Sequence, residues 1–561
     1  MNNQTIRIAC LQLEAMPYRK QSENKEKILR FIGQAAWSQP DLIVLPECVY
    51  PCYFLSPRII DNYETLSYLT EQFLIEVKNC AKKYKTFIAI GLPEYIKEKK
   101  VLFNSAILIN DEGQEVGRVR KSFLWHFEHR WFQSDHRYPV FVTKIGRIGL
   151  FICADGRLPE IVRCLALQNA EILLDLTNWV TNGLERTAWS NPQAEYMIPT
   201  RALENNVWIV AANKIGCEEK SIQYCGKSAF FSPEGKVLTM ASTNQEEILT
   251  KEIDLTLSHH KKVSGHIDVF KYRHPEKYKI LTLPSSELPI SQNKNQKIKD
   301  VKKNLFAAVI QTEHTQEIQE YQQKIEYFFH TLGEQEVNIF SFSQNNKIPA
   351  SQNQVIFNLL KDLTKDKVAL CSIVLYEQEN NRKYKTIFLI ESGKEIGKYR
   401  KTHLESQEKD SIDPGEHKYE VYETHFGPIG MMLDYEGYFP EIARILTLKG
   451  AEIIIWPCLF SGDEQLKICQ TRSAENKIFI ICPNAIQEQG NGHSLITSPS
   501  GQIIAGCLEN MEMASITKIP LKLAKDKMIV PYTNAILGRK PESYGLLCDQ
   551  KMFNNSGENE H

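Results

Sequence analysis

The stretch Gly149-Leu150-Phe151-Ile152-Cys153-Ala154-Asp155-Gly156-Arg157-Leu158-Pro159-Glu160-Ile161-Val162-Arg163 returns in altered form later in the chain. Its counterpart is Gly430-Met431-Met432-Leu433-Asp434-Tyr435-Glu436-Gly437-Tyr438-Phe439-Pro440-Glu441-Ile442-Ala443-Arg444. In both copies an apolar run ends at a turn, a helix-like stretch follows, and a second apolar run comes next: Ala170-Glu171-Ile172-Leu173-Leu174 in one, Ala451-Glu452-Ile453-Ile454-Ile455 in the other. Short apolar runs bounded by turns read as buried strands, and strands alternating with helical patterns read as a layered α/β fold.

Other pairs keep the same order. Arg120-Lys121 matches Arg400-Lys401, and Arg201-Ala202-Leu203-Glu204-Asn205 matches Arg472-Ser473-Ala474-Glu475-Asn476. Ser232-Pro233-Glu234-Gly235 matches Ser498-Pro499-Ser500-Gly501, and Arg273-His274-Pro275-Glu276 matches Arg539-Lys540-Pro541-Glu542. Collinear matches of this kind are the mark of a tandem duplication. A chain of 561 residues also fits two domains of roughly 250 better than one. Pro284–Asn304 is rich in Ser, Pro, Asn, Gln and Lys, which suits a solvated linker. The expected organisation is a first module over 1–283, a linker over 284–303, a second module over 304–549 and a polar, disordered tail over 550–561.

Within the first module Ile6–Leu11, Asp41–Leu45, Phe87–Gly91 and Ile148–Cys153 read as buried strands. Ser22–Trp37 reads as a helix with Ile28, Ile32 and Ala35 on one face. Hydrophobic residues make up 42 % of the chain, charged residues 24 %, and the net charge is −1. That balance excludes a nucleic-acid or anionic-membrane partner drawn by overall charge. The N-terminus lacks a basic start before an apolar core, and no apolar run approaches the ~20 residues needed to cross a bilayer. The 14 cysteines are scattered through apolar segments, so a cytoplasmic protein with free thiols is expected.

Cys153 ends the run Ile148-Gly-Leu-Phe-Ile-Cys just before a turn, at the carboxyl edge of a strand where α/β folds bind ligands. Taken alone, a cysteine there is more often part of the core. Glu47 closes Asp41-Leu-Ile-Val-Leu-Pro46-Glu47; at a strand mouth, desolvation would raise its pKa and suit it to general-base work, but a solvated loop glutamate would look the same. Arg120-Lys121 precedes Glu128 by a seven-residue step from the lysine. Lys121 could stabilise an oxyanion or merely form a surface ion pair. Cys48 and Cys52 flank Glu47, and without a second ligand pair they do not make a metal site.

Together, Pro-Glu, then Arg-Lys with a glutamate seven residues after the lysine, then Cys-x-Asp-x-Arg-x-Pro-Glu, resemble the nitrilase superfamily of carbon–nitrogen hydrolases. The resemblance extends through Arg201–Asn205, Gly226-Lys227-Ser228 and Arg273–Glu276. It implies α-β-β-α sandwich modules and a Glu47–Lys121–Cys153 triad with Glu128 as the additional glutamate. It also implies that Cys153 attacks the substrate carbon, with Glu47 as base and then acid. Lys121 and the Ala154 backbone N–H hold the oxyanion, and Glu128 orients Lys121 or the substrate amine. No metal or organic cofactor is implied. Cys153-Ala154-Asp155 favours the amide side of the family over its true nitrilases. Trp179 falls where the family lines its pocket and could pack on substrate or simply fill the core; Arg157 could face a substrate carboxylate or be structural. Where many relatives have histidine two residues after the lysine, this chain has Phe123, while the second copy keeps His403.

The second copy has Asp434 opposite Cys153 and, aligned by the preceding strand, Ser343 opposite Glu47; Lys401 and Glu408 keep their spacing. Aspartate is a poor nucleophile toward an amide, so this module reads as a degenerate pseudoenzyme. As family members pair through helices, it would pack on the first as an intrachain pseudo-dimer, with room for further homo-oligomers; a regulatory ligand in its old pocket is the other reading. The expected reaction is hydrolysis of a small linear amide or N-carbamoyl compound through a cysteine thioester, releasing ammonia or an amine. A soluble acyltransferase using the same cysteine and a non-catalytic interaction protein are the alternatives.

Overall fold

The computed structural model describes residues 5–56, 62–181, 189–264, 266–292, 305–416, 418–459, 462–486 and 492–550. The chain divides into two compact units. Unit one comprises Met1–Lys271, Val530–Asn534 and Gly538–His561; unit two comprises Tyr272–Ile529 and Ala535–Leu537. These bounds depart from the module ends at 283 and 549 because each repeat's terminal arginine follows its counter-charge. In unit two Arg273 Nε donates to Glu441 Oε1 at 2.8 Å, and in unit one Arg539 Nε donates to Glu160 Oε1 at 3.0 Å. All four side chains are buried, and separating a buried ion pair is strongly destabilising. The segment expected to be linker is in part folded: Ser285–Glu287 is a 3₁₀ turn, Leu288 is buried and Pro289–Gln292 is helical. The remainder of that linker, 293–303, and the tail from 551 lie outside the described residues.

Unit one is an α-β-β-α sandwich. Its first sheet places β1 (Thr5–Glu14), β2 (Leu42–Val44), β3 (Phe87–Ile96), β4 (Val101–Ile109) and β5 (Glu115–Arg120) side by side, with Glu247–Asp254 antiparallel on the other flank of β1. Pairings β1–β2 and β2–β3 are parallel and the later ones antiparallel. The second sheet contains β6 (Val140–Thr143), β7 (Gly146–Ile152), β8 (Ile172–Leu176) and β9 (Trp208–Ala212), followed by Ala229–Phe231 and Val237–Met240. Strand alternation does the layering. Ile8, Val44 and Ala89 face a core shared with Ile148, Leu150 and Leu174 of the second sheet. Ala9, Ile43 and Ile88 face the other way, onto Ile28 and Ile32 of α1 (Gln21–Ala35) and Phe73 and Val77 of α2 (Tyr63–Tyr84). α3 (Pro159–Leu167) and α4 (Ile198–Asn205) cover the second sheet, and both helices are buried along their whole length. The helix read from Ser22 thus forms one residue earlier, with the apolar face expected of it.

Unit two repeats this layout. One six-stranded sheet runs Lys394–Arg400, Arg382–Glu391, Leu370–Glu379, Ile339–Phe342, Phe306–Gln311, Met513–Lys518. The other begins Val421–Thr424, Gly427–Met431, Ile453–Ile455, Phe479–Cys482. Helices Ile318–Gly333 and Asn353–Thr364 cover the first through Tyr321, Ile325, Ile356 and Leu360. Among the described residues, no helix is long and apolar enough to cross a membrane.

Candidate active site

β7 delivers Cys153 to the carboxyl edge of the second sheet. The residue stands in the left-handed region at φ +49°, where a side chain other than glycine is uncommon and strained. Three contacts fix it there. Its N–H donates to Asp175 Oδ1 of β8 at 2.9 Å, its carbonyl accepts from Gln193 Nε2 at 2.7 Å, and Asp155 ties the turn to the lysine loop. Asp155 accepts from Ile152 N, Ser122 N and Phe123 N at 3.1, 3.0 and 2.7 Å. Ala154 is the second residue of the short 3₁₀ turn Cys153–Arg157, and the first N–H groups of such a turn have no acceptor within it.

Lys121 follows β5 and is completely buried. Its Nζ donates to Glu47 Oε1 and to Glu128 Oε1, each at 2.7 Å. An ammonium has three N–H groups, so one remains unassigned among the described residues. Burial would lower the lysine pKa, but Glu128 and Glu47 hold it well above the usual value, and the group is a fixed cation. Asn104 of β4 adds a 2.6 Å hydrogen bond from Nδ2 to Glu47 Oε1. Glu47 Oε2 is buried and has no partner among the described residues. Burial raises the Glu47 pKa against the pull of Lys121, which makes its free oxygen a proton acceptor. The Cys153 thiol is also pushed up by burial and by Glu47, with Lys121 opposing, so the resting sulfur is a thiol. Glu128 is aimed by Tyr53, whose hydroxyl donates to Oε1 at 2.8 Å, and by the Trp125 N–H, which donates to Oε2 at 2.6 Å.

The structure therefore brings Glu47, Lys121 and Glu128 into direct contact, with Cys153 within their electrostatic reach. Arg157 is buried, stacked over Trp125 at 4.6 Å and bonded through Nε to Gln193 Oε1 at 3.1 Å. Trp179 is buried, and its Nε1 finds no acceptor among the described residues. Both amide atoms of Asn178 are likewise unpartnered among the described residues, so the loop after β8 presents polar groups beside the thiol. Tyr53, Asn104, Asp175, Thr177, Asn178 and Gln193 were not singled out from sequence. The signal for Asp175 was a polar residue inside an otherwise apolar strand, Ile172-Leu173-Leu174-Asp175-Leu176, whereas Asn104 shares Leu102-Phe103-Asn104-Ser105-Ala106 with a second polar residue.

In unit two the same framework is occupied differently. Asp434 keeps the left-handed backbone, φ +46°. Lys401 Nζ donates to both oxygens of Glu408 at 2.7 Å and to Asp434 Oδ2 at 2.8 Å, which uses all three of its N–H groups. Lys385 stands where unit one has Asn104: Lys401 N donates to Lys385 O at 2.8 Å as Lys121 N does to Asn104 O. Its Nζ donates to Asp434 Oδ2 at 2.7 Å. Burial would raise the Asp434 pKa, but Lys385 and Lys401 hold it well below the usual carboxylate range.

The counterpart of Glu47 is Gln344, and the sequence alignment to Ser343 is corrected by one residue. Gln12 and Gln311 occupy equivalent places, each donating to two carbonyls and each accepting from a serine N–H (Ser228, Ser494). Two residues earlier Cys10 faces Val44, and Val309 faces Ser341. Three further on lie Glu47 and Gln344. Gln344 Nε2 donates to Asp434 Oδ1 at 2.8 Å, while Ser343 Oγ turns back to accept from Thr312 N.

A family model for carbon–nitrogen hydrolases matches residues 7–260 and again 328–527. A nitrilase of Pyrococcus abyssi (strain GE5 / Orsay) is 33% identical over 261 residues, 46% of this chain and 93% of that protein. An N-carbamoylputrescine amidase of Oryza sativa subsp. japonica is 27% identical over 289 residues, 49% of this chain and 92% of that protein. Among solved structures, an amidase from Nesterenkonia sp. aligns with a TM-score of 0.40 and 20% identity, covering 47% of this chain and 95% of that one.

Proposed function

Because the chain belongs to the carbon–nitrogen hydrolase family, we propose that unit one hydrolyses a small linear amide or N-carbamoyl compound through a thioester on Cys153, and that unit two is catalytically silent. The observation that carries this is the incomplete saturation of the first site: one oxygen of Glu47 and one N–H of Lys121 are left over beside the thiol. Glu47 Oε2 takes the thiol proton as sulfur bonds to the substrate carbonyl carbon. The negative charge that develops on oxygen is held by the spare Lys121 N–H and the Ala154 N–H. Glu47 returns its proton to the leaving nitrogen, the carbon–nitrogen bond breaks, and ammonia or an amine departs. Water then gives a proton to Glu47 and adds to the thioester; the carbon–sulfur bond breaks and the thiol recovers that proton. Arg157, Trp179 and Asn178 are the substrate-facing groups in this reading, supported by their burial and, for Trp179 and Asn178, by polar atoms without a partner among the described residues.

The test is rapid acid quenching of the full chain with a library of short amides and N-carbamoyl amines, followed by intact mass and peptide mapping. An acyl increment confined to Cys153 is expected. Hydrolysis with the adduct on another residue, or with no adduct at steady state and full activity after Cys153→Ala, overturns the reading.

A further inference from the structure

Between Lys121 and Glu128 the chain makes a loop whose centre, Leu124-Trp125-His126, controls the carboxylate. The Trp125 N–H donates to Glu128 Oε2, so Glu128 is aimed by this backbone. His126 is held in the left-handed region at φ +48°, an uncommon conformation for a residue other than glycine. Its support comes from 407 positions away in sequence. The His126 N–H donates to Thr533 Oγ1 at 2.8 Å, and the Thr533 hydroxyl donates to Leu124 O at 3.1 Å. Thr533 is buried and belongs with this loop to unit one. Gly538 continues the same contact: a Cβ there would stand 2.3 Å from Phe123 Cε2. Ser406, which stands two residues past Leu404 as His126 stands two past Leu124, is not among the left-handed residues.

We infer that Thr533 is a positioning residue for the first site, reaching it from the end of the second repeat. One hydroxyl bridges the two backbone groups on either side of Trp125, fixes the loop, and thereby sets where Glu128 holds Lys121. On this account the second repeat is retained in part because its last residues complete the site of the first. The inference rests on the hydrolase reading of unit one for its consequence, but the loop clasp itself is independent of it.

The test uses the full chain with Thr533→Val, which keeps the shape and removes the hydroxyl, and Thr533→Ser, which keeps the hydroxyl. Two readouts are taken: hydrogen exchange of amides 124–128, and the pH-dependent rate at which iodoacetamide alkylates Cys153, located by peptide mapping. For Thr533→Val, exchange in the loop should accelerate about tenfold or more, and alkylation should slow about tenfold with a displaced pH profile. Thr533→Ser should recover both to within about twofold. Unchanged exchange and alkylation in Thr533→Val overturn the inference. So do equal losses in Val and Ser accompanied by a lowered melting temperature, which would mark a packing role. If no acyl adduct forms on Cys153 of the wild type in the quench experiment while exchange still responds to Val and recovers with Ser, the clasp stands and the hydrolase reading falls.

Discussion

Lys121 and Lys401 end equivalent strands and each meets a glutamate seven residues on, yet only Lys121 has an N–H to spare. In unit one two carboxylates and a neutral thiol surround a single cation, and Glu47 keeps an open oxygen. In unit two Lys385 and Lys401 face Asp434 and Glu408, Gln344 Nε2 donates to the other oxygen of Asp434, and all three N–H groups of Lys401 are taken. A catalytic site has to leave hydrogen-bonding capacity unspent for the substrate. A buried structural site has to pair its charges, because unpaired buried charge is costly. Three exchanges on one scaffold separate the two states: thiol for carboxylate, carboxylate for amide, and amide for ammonium.

The largest effect should come from Cys153→Ala, which removes the sole nucleophile of the proposed reaction. Ammonia release should fall by roughly 10⁴-fold or more with little change in melting temperature. Retained activity would mean the comparison has the wrong residue at its centre. Next comes Glu47→Gln, which makes the first site resemble the second at one position. Loss of a general base predicts a fall of ~10²–10⁴-fold. In the wild type the raised Glu47 pKa places the acid limb of kcat/KM above the ordinary glutamate value of about 4.3: activity drops as pH falls through it, since protonated Glu47 cannot accept a proton. A pH–rate profile that stays flat through that range would break the assignment.

Unit two is tested through stability. Asp434→Ala should leave turnover per folded molecule near wild type and destabilise unit two by ~3–5 kcal/mol, or ~10 °C in melting, because it strands buried charge. The stranded group is Lys385, whose ammonium has Asp434 as its one charged partner among the described residues, whereas Lys401 still has Glu408. Adding Lys385→Met to Asp434→Ala should therefore restore more stability than adding Lys401→Met. The reverse ranking in differential scanning calorimetry would contradict the geometry. The smallest effect is the pH dependence of the same pair. A carboxylate depressed in the folded state contributes stability that is present above its unfolded pKa of about 3.9 and lost as pH falls below it. The stability gap between wild type and Asp434→Asn, measured by urea unfolding, should shrink by ~1–2 kcal/mol between pH 6 and pH 2.5; a gap constant with pH would show that the charge is not what matters.

Much of this was legible in the residues. Short apolar runs announced strands such as β1, β3 and β7, and the paired Gly…Pro-Glu motifs announced the duplication. Cys153 was marked by its place at the end of an apolar run, and Asp434 by lying opposite it. Asn104 was harder, since Ser105 beside it on β4 is polar too and nothing local distinguishes a polar residue facing a site from one facing a core partner. Lys385 was hidden among the polar residues of its strand, Lys383, Tyr384 and Thr386.

By itself the sequence determined the number of repeats, the strand-turn-helix that presents Cys153 and Asp434, and the Glu–Lys–Cys order, because these depend on local pattern and motif. Only the tertiary structure decided that Gln344 and not Ser343 replaces Glu47, that Lys385 joins the second cluster, and that Thr533 reaches the first. Those facts rest on register and on contacts between distant segments. A one-residue slip in a strand turns every side chain to the opposite face, and Val337-Asn-Ile-Phe-Ser-Phe-Ser-Gln contains no local feature that forbids the slip. What fixed it was the pairing of Val309 with Ser341, a contact the two strands make only once the sheet has formed.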